Sequence, residues 1–194
     1  MDKTQNLRPP KSLLAIKADT RKIEFKMASE PLVGSLLRTL AASKVKGRFL
    51  ELGTGTGLST AWLLDGMSAD STLVTMDNDQ TLLDVAHRHL GSDSRLRIVC
   101  EDGDEFVSSL SAKGEKFDFI FADTWAGKYR FIEETLGLLN RHGLYVIDDM
   151  LPQPNWPEDH PPKVERLLAL LEEREDFLIT KIAWSCGVVI CTKI

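Results

Sequence analysis

The sequence predicts an α/β protein built on one doubly wound, mostly parallel sheet of seven strands, with helices on both faces. From Gly47 onward, short apolar runs alternate with helical patterns, which is typical of right-handed βαβ units. Only residues 184–187 separate the last two apolar runs, so these are expected to form a hairpin that places one strand antiparallel to its neighbour. The segment before Gly47 shows only helical patterns and is predicted to cap the sheet, or to act as a lid over a ligand.

The strands are predicted from short apolar runs. They span residues 48–52, 71–77, 96–100, 117–123, 143–148, 177–183 and 188–192. The helices are predicted from apolar residues spaced three and four apart. They span residues 13–22, 31–42, 58–67, 80–90, 104–111, 129–139 and 163–174. Pro31 suits a first helical position with Ser29 as the cap, and Gly91 ends the fourth helix.

Length and composition are those of one ordinary soluble domain. The chain has 194 residues, of which 43% are hydrophobic and 27% charged. We expect residues 1–45 to form the helical cap and residues 46–194 the core. No run of about 18 apolar residues is present, so the sequence predicts no transmembrane helix. The first residues lack the apolar segment of a secretory signal.

The charge of the chain limits the classes of partner that it can bind, and its cysteine content indicates the cellular compartment. The chain carries 24 basic and 29 acidic residues and a net charge of −5. It therefore lacks the basic surface that nucleic acid requires. The three cysteines, Cys100, Cys186 and Cys191, are odd in number and form no C-x-x-C pair. We expect buried, reduced thiols of a cytoplasmic protein.

A glycine-rich loop follows the first predicted strand and opens the next helix. Its sequence is Glu51-Leu-Gly-Thr-Gly-Thr-Gly-Leu-Ser59. Dinucleotide folds require G-x-G-x-x-G around a pyrophosphate, but here Leu58 stands where the third glycine is required and Gly57 comes one residue early. The carboxylate of Glu51 would repel a diphosphate and attract an ammonium or sulfonium group. The electrostatics therefore favour a cationic ligand.

Acidic residues follow the next two strands. Asp77 lies about 20 residues past the loop, where an acid accepts the hydroxyls of a ribose. Asp102-Gly103-Asp104 follows the third strand, where an adenine would lie. Each acid alone is typical of a helix cap or a turn. Three of them at successive strand ends favour a ligand site, because ligands bind at the carboxyl ends of strands in such sheets.

The motifs ELGTGTGLST, EDGDEF, FADTWAGKY and VIDDM, together with Asp77, resemble class I S-adenosylmethionine-dependent methyltransferases. The closer likeness is to small O-methyltransferases of the catechol and caffeoyl-CoA type, which have a Rossmann-like core. The resemblance implies that Glu51 and Gly53 hold the amino-acid part of the cofactor, that Ser59 reaches its carboxylate, and that Asp77 holds the ribose. The full implied set is Met27, Ser29, Glu51, Gly53, Gly55, Gly57, Ser59, Asp77, Asn78, Asp102, Gly103 and Asp123.

A second acidic group is predicted where the fourth and fifth strands end. Neighbouring parallel strands lie about 4.8 Å apart, so Asp123, Asp148 and Asp149 are expected to crowd one another. Such oxygen ligands suit Mg²⁺, Mn²⁺ or Ca²⁺. The resemblance implies a divalent ion that chelates two substrate oxygens, although Asp149 stands where the family has asparagine. The alternative is that Asp123 contacts the cofactor while Asp148 and Asp149 cap a turn.

The general base is not evident from the sequence. The resembled enzymes have a lysine three residues after the first metal aspartate, and this position is Ala126 here. Lys128 and His160 are the candidates; the alternative is that Lys128 is solvated or caps a helix and that His160 is an exposed loop residue. Trp125 and Trp156 would face a planar acceptor or pack at its rim. The segment around Trp156 is predicted to be stiff because it contains Pro152, Pro154, Pro157, Pro161 and Pro162.

Together these features predict an S-adenosylmethionine-dependent methyltransferase that acts on a hydroxyl of a small metabolite, with metal assistance as an open question. One alternative is a cofactor-binding protein that has lost catalysis, which the Ala126 position favours. A less supported alternative is an NAD-type oxidoreductase, since Lys128-Tyr129 has the wrong order and spacing for a Tyr-x-x-x-Lys pair. The resemblance also implies a homodimer, and no membrane partner is expected.

Overall fold

A computed structural model describes residues 7–153 and 156–194, so Pro154 of the proline-rich segment lies outside the described residues. This part of the chain contains seven helices and seven strands. The helices are α1 (Leu13–Lys22), α2 (Pro31–Ala42), α3 (Leu58–Gly66), α4 (Gln80–Leu90), α5 (Gly103–Ala112), α6 (Ile132–Gly137) and α7 (Pro161–Glu172). The strands are β1 (Arg48–Leu52), β2 (Thr72–Asp77), β3 (Leu96–Cys100), β4 (Phe117–Ala122), β5 (Leu139–Ile147), β6 (Phe177–Ile182) and β7 (Val188–Lys193).

The chain divides into two compact units, the first of which ends at Asp102. In this unit β1 pairs with β2 and β2 with β3, all in parallel. Leu52 is in register with Met76, and Asp77 with Cys100. The carboxyl ends of these strands therefore lie at one edge, where the glycine loop begins.

The second unit begins at Gly103 and contains the other four strands. β4 and β5 are parallel, whereas β7 is antiparallel to both β5 and β6. The predicted closing hairpin is therefore confirmed. The seven strands follow the order β3-β2-β1-β4-β5-β7-β6 in a mostly parallel sheet, which confirms the predicted fold class.

Apolar side chains fill the interior of each unit. In the first, all of α3 from Leu58 to Leu64 is buried, and Trp62 packs so closely on α2 that a Cβ atom on Gly34 would lie 2.2 Å from the indole. In the second, Phe119, Phe121 and Tyr145 have no exposed surface. Burial of each of these large side chains stabilises the fold by about 1.5–3 kcal/mol. None of the described helices is long and apolar enough to cross a membrane.

The predicted helix over residues 129–139 is wrong at both ends. Backbone N–H groups of Lys128, Tyr129 and Arg130 all bond to the carbonyl of Trp125, which makes a compact turn. Phe131 then adopts a left-handed φ of 55°, so α6 begins only at Ile132. At the other end, β5 begins at Leu139, four residues before the predicted start at Gly143, because Leu139 pairs with Phe117 ahead of a register shift.

Two smaller predictions are also wrong. The residue that caps α2 is Glu30, not Ser29; its ψ of 140° is the extended conformation that a following proline requires. Cys100 is exposed, because β3 is an edge strand, whereas Cys186 and Cys191 are buried as predicted. All three thiols are free.

Candidate functional site

The glycine loop is a tight turn in which three glycines adopt left-handed backbone angles. The φ values of Gly53, Gly55 and Gly57 are 100°, 51° and 90°. The N–H groups of Gly53 and Thr54 both bond to the carbonyl of Met76, which fixes the loop to the end of β2. A Cβ atom on Gly57 would lie 3.0 Å from Leu90 Cδ1, so side chains are excluded there by both angle and space.

Glu51 lies at the end of β1 and is completely buried. Its Oε2 accepts hydrogen bonds from the hydroxyls of Thr60 and Thr75, both at 2.6 Å. Its Oε1 has no partner among the described residues. Burial raises the pKa of Glu51 to about 7, and the hydroxyls of Thr60, Thr75 and Ser59 partly oppose that shift. A buried carboxylate with one free oxygen is suited to a cationic partner.

Asp77 is half-buried and is tied to the loop. Its Oδ2 accepts the N–H of Gly55 at 2.8 Å, and its Oδ1 accepts the N–H of Asp79 at 3.2 Å. Each carboxylate oxygen can accept a further hydrogen bond. The loop, Glu51 and Asp77 are thus brought together in the first unit, as the sequence predicts.

The other predicted cofactor residues differ in how far they are exposed. Ser59 is buried in the first turn of α3, whereas Asn78 and Asp102 are exposed after their strands. Gly103 is the first residue of α5 and belongs to the second unit. Met27 is 73% exposed. Ser29 is half-buried in the segment before α2.

Two residues near the loop were missed by the sequence analysis. The hydroxyls of Thr20, at the end of α1, and Thr56 are hydrogen-bonded to each other at 2.8 Å. Phe25 lies beside Gly55, where an added Cβ would be 3.3 Å from its Cε1. Neither residue belongs to a motif. The signal for Phe25 is its place as an aromatic residue two positions before Met27, which is one of the predicted cofactor residues. Both tie the N-terminal segment to the loop within the first unit.

The acidic group in the second unit differs from the predicted one. Metal-ligating atoms of Asp148, Asp149 and Cys186 lie within 4.8 Å of one another, and Asp123 is not part of this group among the residues that the structure describes. Asp148 Oδ1 accepts the N–H of Asp149 and the thiol of Cys186, each at 2.8 Å. Burial raises the pKa of Asp148 to about 6 and also raises the pKa of the Cys186 thiol.

Lys128 is buried beside this group and is not the solvated lysine of the alternative interpretation. Its side chain is 4% exposed, and its Nζ donates to the backbone carbonyl of Asp148 at 2.5 Å. Burial lowers the pKa of Lys128, and the charges of Asp123, Asp149 and Asp148 oppose that shift. The compact turn at residues 125–130 directs Lys128 inward.

His160 is also buried, and it belongs to an aromatic cluster formed by Trp125, Tyr129, Trp156 and His160. Its Nε2 lies 3.0 Å from the hydroxyl of Tyr129. Its ring stacks on Trp156 with 4.2 Å between centroids, and Trp125 approaches it edge-on at 6.2 Å. Burial lowers the pKa of His160, so the imidazole is neutral near pH 7. Burial also raises the pKa of Tyr129, which keeps its proton.

Cys186 was not singled out by the sequence analysis, although the topology contains the signal for it. β7 is antiparallel to β5, with Val189 in register with Ile147. The turn before β7 must therefore reach the carboxyl end of β5. Backbone hydrogen bonds from Met150 to Gly187 and from Leu151 to Cys186 continue this pairing and place the thiol at Asp148.

The strand order and the glycine loop define the class I methyltransferase fold, and comparisons with known proteins agree. The O-methyltransferase from Bacillus cereus in complex with SAH superimposes with a TM-score of 0.84 at 20% identity, covering 94% of this chain and 90% of that one. TomG from Streptomyces achromogenes, an O-methyltransferase in complex with SAM, gives 0.83 at 22% identity, covering 98% and 92%. At these identities the likeness establishes the fold.

A family model described as a methyltransferase domain matches residues 50–150, just over half of the 194 residues. This chain therefore belongs to the methyltransferase domain family. It is 34% identical over 125 residues to a Mycobacterium sp. (strain JLS) protein named "Putative O-methyltransferase". That alignment covers 62% of this chain and 56% of the relative, so the chain spans little more than half the length of that relative.

Proposed function

We propose that this protein is an S-adenosylmethionine-dependent methyltransferase that methylates a hydroxyl group of a small metabolite. The observation that carries the proposal is the free Oε1 of the buried Glu51, which lies at the start of a loop of three left-handed glycines. A buried carboxylate oxygen without a donor is costly unless a ligand supplies one. An ammonium group of the cofactor's amino-acid part would supply both the donor and the compensating charge.

The first unit offers the remaining features that this cofactor requires. The loop leaves no room for side chains at Gly57, so backbone can approach a ligand closely. Asp77 would accept the ribose hydroxyls while its bond to Gly55 N–H holds the loop in place. Gly53 and Ser59 would hold the carboxylate end. Met27 and Ser29 would cover the methionine end, and Asp102 would flank the adenine. The matching role of Gly103, which begins the second unit, stays a prediction from the family resemblance.

Replacement of Asp77 by asparagine is expected to weaken the binding of S-adenosylhomocysteine about 10- to 100-fold, since hydrogen bonds to a charged group contribute roughly 1.5–3 kcal/mol. Titration calorimetry measures this directly. Asp79→Asn is the matched control, because Asp79 caps α4 and asparagine caps equally well. Failure of the wild-type protein to bind S-adenosylhomocysteine at millimolar concentration would refute the proposed function.

Residues of the second unit would handle the acceptor. When bound, the cofactor supplies an electrophilic methyl group on a sulfonium centre. Transfer of that methyl group to the acceptor oxygen would leave the electrons of the broken C–S bond on sulfur and would require the hydroxyl proton to leave. The neutral His160, hydrogen-bonded to Tyr129, would take up this proton. Trp125 is 40% exposed and would contact a planar acceptor.

His160→Gln is expected to lower turnover about 100-fold or more, because a general base typically contributes at least that much. Binding of S-adenosylhomocysteine is expected to be unchanged. A homocysteine-release assay over a panel of hydroxylated compounds provides the measurement and also separates an enzyme from a non-catalytic cofactor-binding protein. His87→Gln, an exposed substitution on α4, is the control. Equal turnover of the His160 variant and the wild type would rule out His160 as the base.

The residues of the second unit do not fit a resident Mg²⁺ ion held by Asp123, Asp148 and Asp149. The donors that lie together are Asp148, Asp149 and Cys186, and a thiol is a poor ligand for this hard ion. The ammonium group of Lys128 already lies beside this group, where it donates to the backbone carbonyl of Asp148. The proposed reaction therefore contains no metal step.

Two further proposals concern the setting of the protein. Its three free thiols support a reducing compartment such as the cytoplasm. Pairing into a homodimer through the N-terminal helices stays a prediction from the family resemblance.

A further inference from the structure

Lys128 occupies an unusual position for a lysine. Its side chain is almost completely buried, and its Nζ bonds to a main-chain carbonyl, that of Asp148. A lysine is rarely buried unless its charge is compensated. The groups that act on it electrostatically are the side chains of Asp123, Asp149, Asp148 and Cys186. The aromatic ring of Tyr129 lies beneath it, with Nζ 5.1 Å from the centroid.

The contacts of Asp148 show how its buried carboxylate is accommodated. Asp148 is 2% exposed. Among the described residues, the donors to its side chain are the N–H of Asp149 and the thiol of Cys186, and both bond to Oδ1. These donors are neutral and cannot cancel a negative charge. Lys128 supplies the positive charge that this buried group requires.

We propose that Lys128 is a built-in cation that replaces a divalent metal ion among Asp123, Asp148 and Asp149. The ammonium group compensates the carboxylates and holds the end of β5 through the Asp148 carbonyl. Among the described residues, this hydrogen bond uses one of the three N–H groups of Lys128. Lys128 is thus a positioning residue of the acceptor side.

This inference rests on the proposed function and specifies its acceptor further. A divalent ion selects acceptors with two adjacent oxygens, because it binds both. A lysine ammonium is a point charge with rotatable donors, and it imposes no chelate geometry on the oxygens around it. The acceptor class is therefore a compound with one reactive hydroxyl, with no need for a neighbouring oxygen that would chelate a metal.

The test is to measure Mn²⁺ binding to the full chain. Titration calorimetry gives the heat of binding, and electron paramagnetic resonance gives the concentration of the free ion. We expect no saturable binding to the wild type. Lys128→Met removes the charge and keeps most of the apolar side chain, so this variant is expected to bind Mn²⁺ saturably, with an affinity at least about tenfold above the highest that the wild-type titration would leave undetected. Mn²⁺ should also raise the unfolding temperature of the variant and leave that of the wild type unchanged. Lys113→Met, an exposed substitution after α5, is the matched control.

Saturable Mn²⁺ binding to the wild type would overturn the proposal even if the Lys128 variant did not fold. A folded Lys128→Met protein without increased Mn²⁺ affinity would also overturn it. Binding of S-adenosylhomocysteine to the same wild-type sample reports separately on the proposed function, because it involves residues of the first unit.

Discussion

Glu51→Gln is expected to make the ligand-free protein more stable at about pH 8 and to weaken its binding of S-adenosylhomocysteine at least about tenfold. The pKa of Glu51 is about 7 in the folded chain, against an ordinary value of 4.5. A carboxyl whose pKa is raised by folding stabilises the fold below pH 4.5, and this contribution is lost as the pH rises to about 7. Glutamine has the same shape and no charge, so it avoids this loss.

The difference in unfolding free energy between Glu51→Gln and the wild type should therefore grow by roughly 3 kcal/mol between about pH 4.5 and pH 8. Urea unfolding at several pH values measures it, with calorimetry for the ligand. Glu165→Gln, an exposed position on α7, should show neither effect. If Glu51→Gln and the wild type lost stability in parallel as the pH rose, the pKa of Glu51 would not be raised by burial in the folded chain.

Gly57→Ala is expected to destabilise the protein by about 2–4 kcal/mol and to remove detectable cofactor binding. Alanine is strained at a φ of 90°, and its Cβ would lie 3.0 Å from Leu90 and 3.1 Å from Ala86. The helix α4 would have to move, or the loop would have to leave its turn. Thermal unfolding and S-adenosylhomocysteine titration measure the two effects.

The control for this substitution is Gly137→Ala at the end of α6. An added Cβ there has no atom within 4 Å, and its φ is not in the left-handed region. Alanine favours helix over glycine, so this variant should equal or slightly exceed the wild type in stability. A Gly57 variant with wild-type stability would mean that the loop tolerates other backbone angles.

The elements with strong apolar periodicity were predictable from sequence, and those governed by tertiary pairing were not. Helix α4 begins and ends as predicted because Asp79 caps it and Gly91 follows it. The predicted helix after β4 starts too early, because residues 129–131 have a helical pattern in isolation. In the structure, hydrogen bonds to the Trp125 carbonyl form a turn before the helix begins. Local propensity is readily overridden by such contacts.

The candidate site divides in the same way. The glycine loop and its acids follow from spacing, since a tight turn after a strand has a narrow set of solutions. Burial does not follow from spacing. Lys128 was open to interpretation as a solvated residue until the compact turn placed it inside, and Cys186 joined the acidic group only through the antiparallel pairing of β7.

The hydrogen bond between the hydroxyls of Thr20 and Thr56 and the contact of Phe25 with Gly55 have a consequence for protein engineering. Residues from α1 brace the turn that would grip the nucleoside, whereas the tryptophans and His160 belong to the other half of the polypeptide. Under the proposed function, chimaeras that exchange α1 and the stretch after it between family members should bind S-adenosylhomocysteine with altered affinity. Such exchanges should leave acceptor specificity that of the protein that receives the segment.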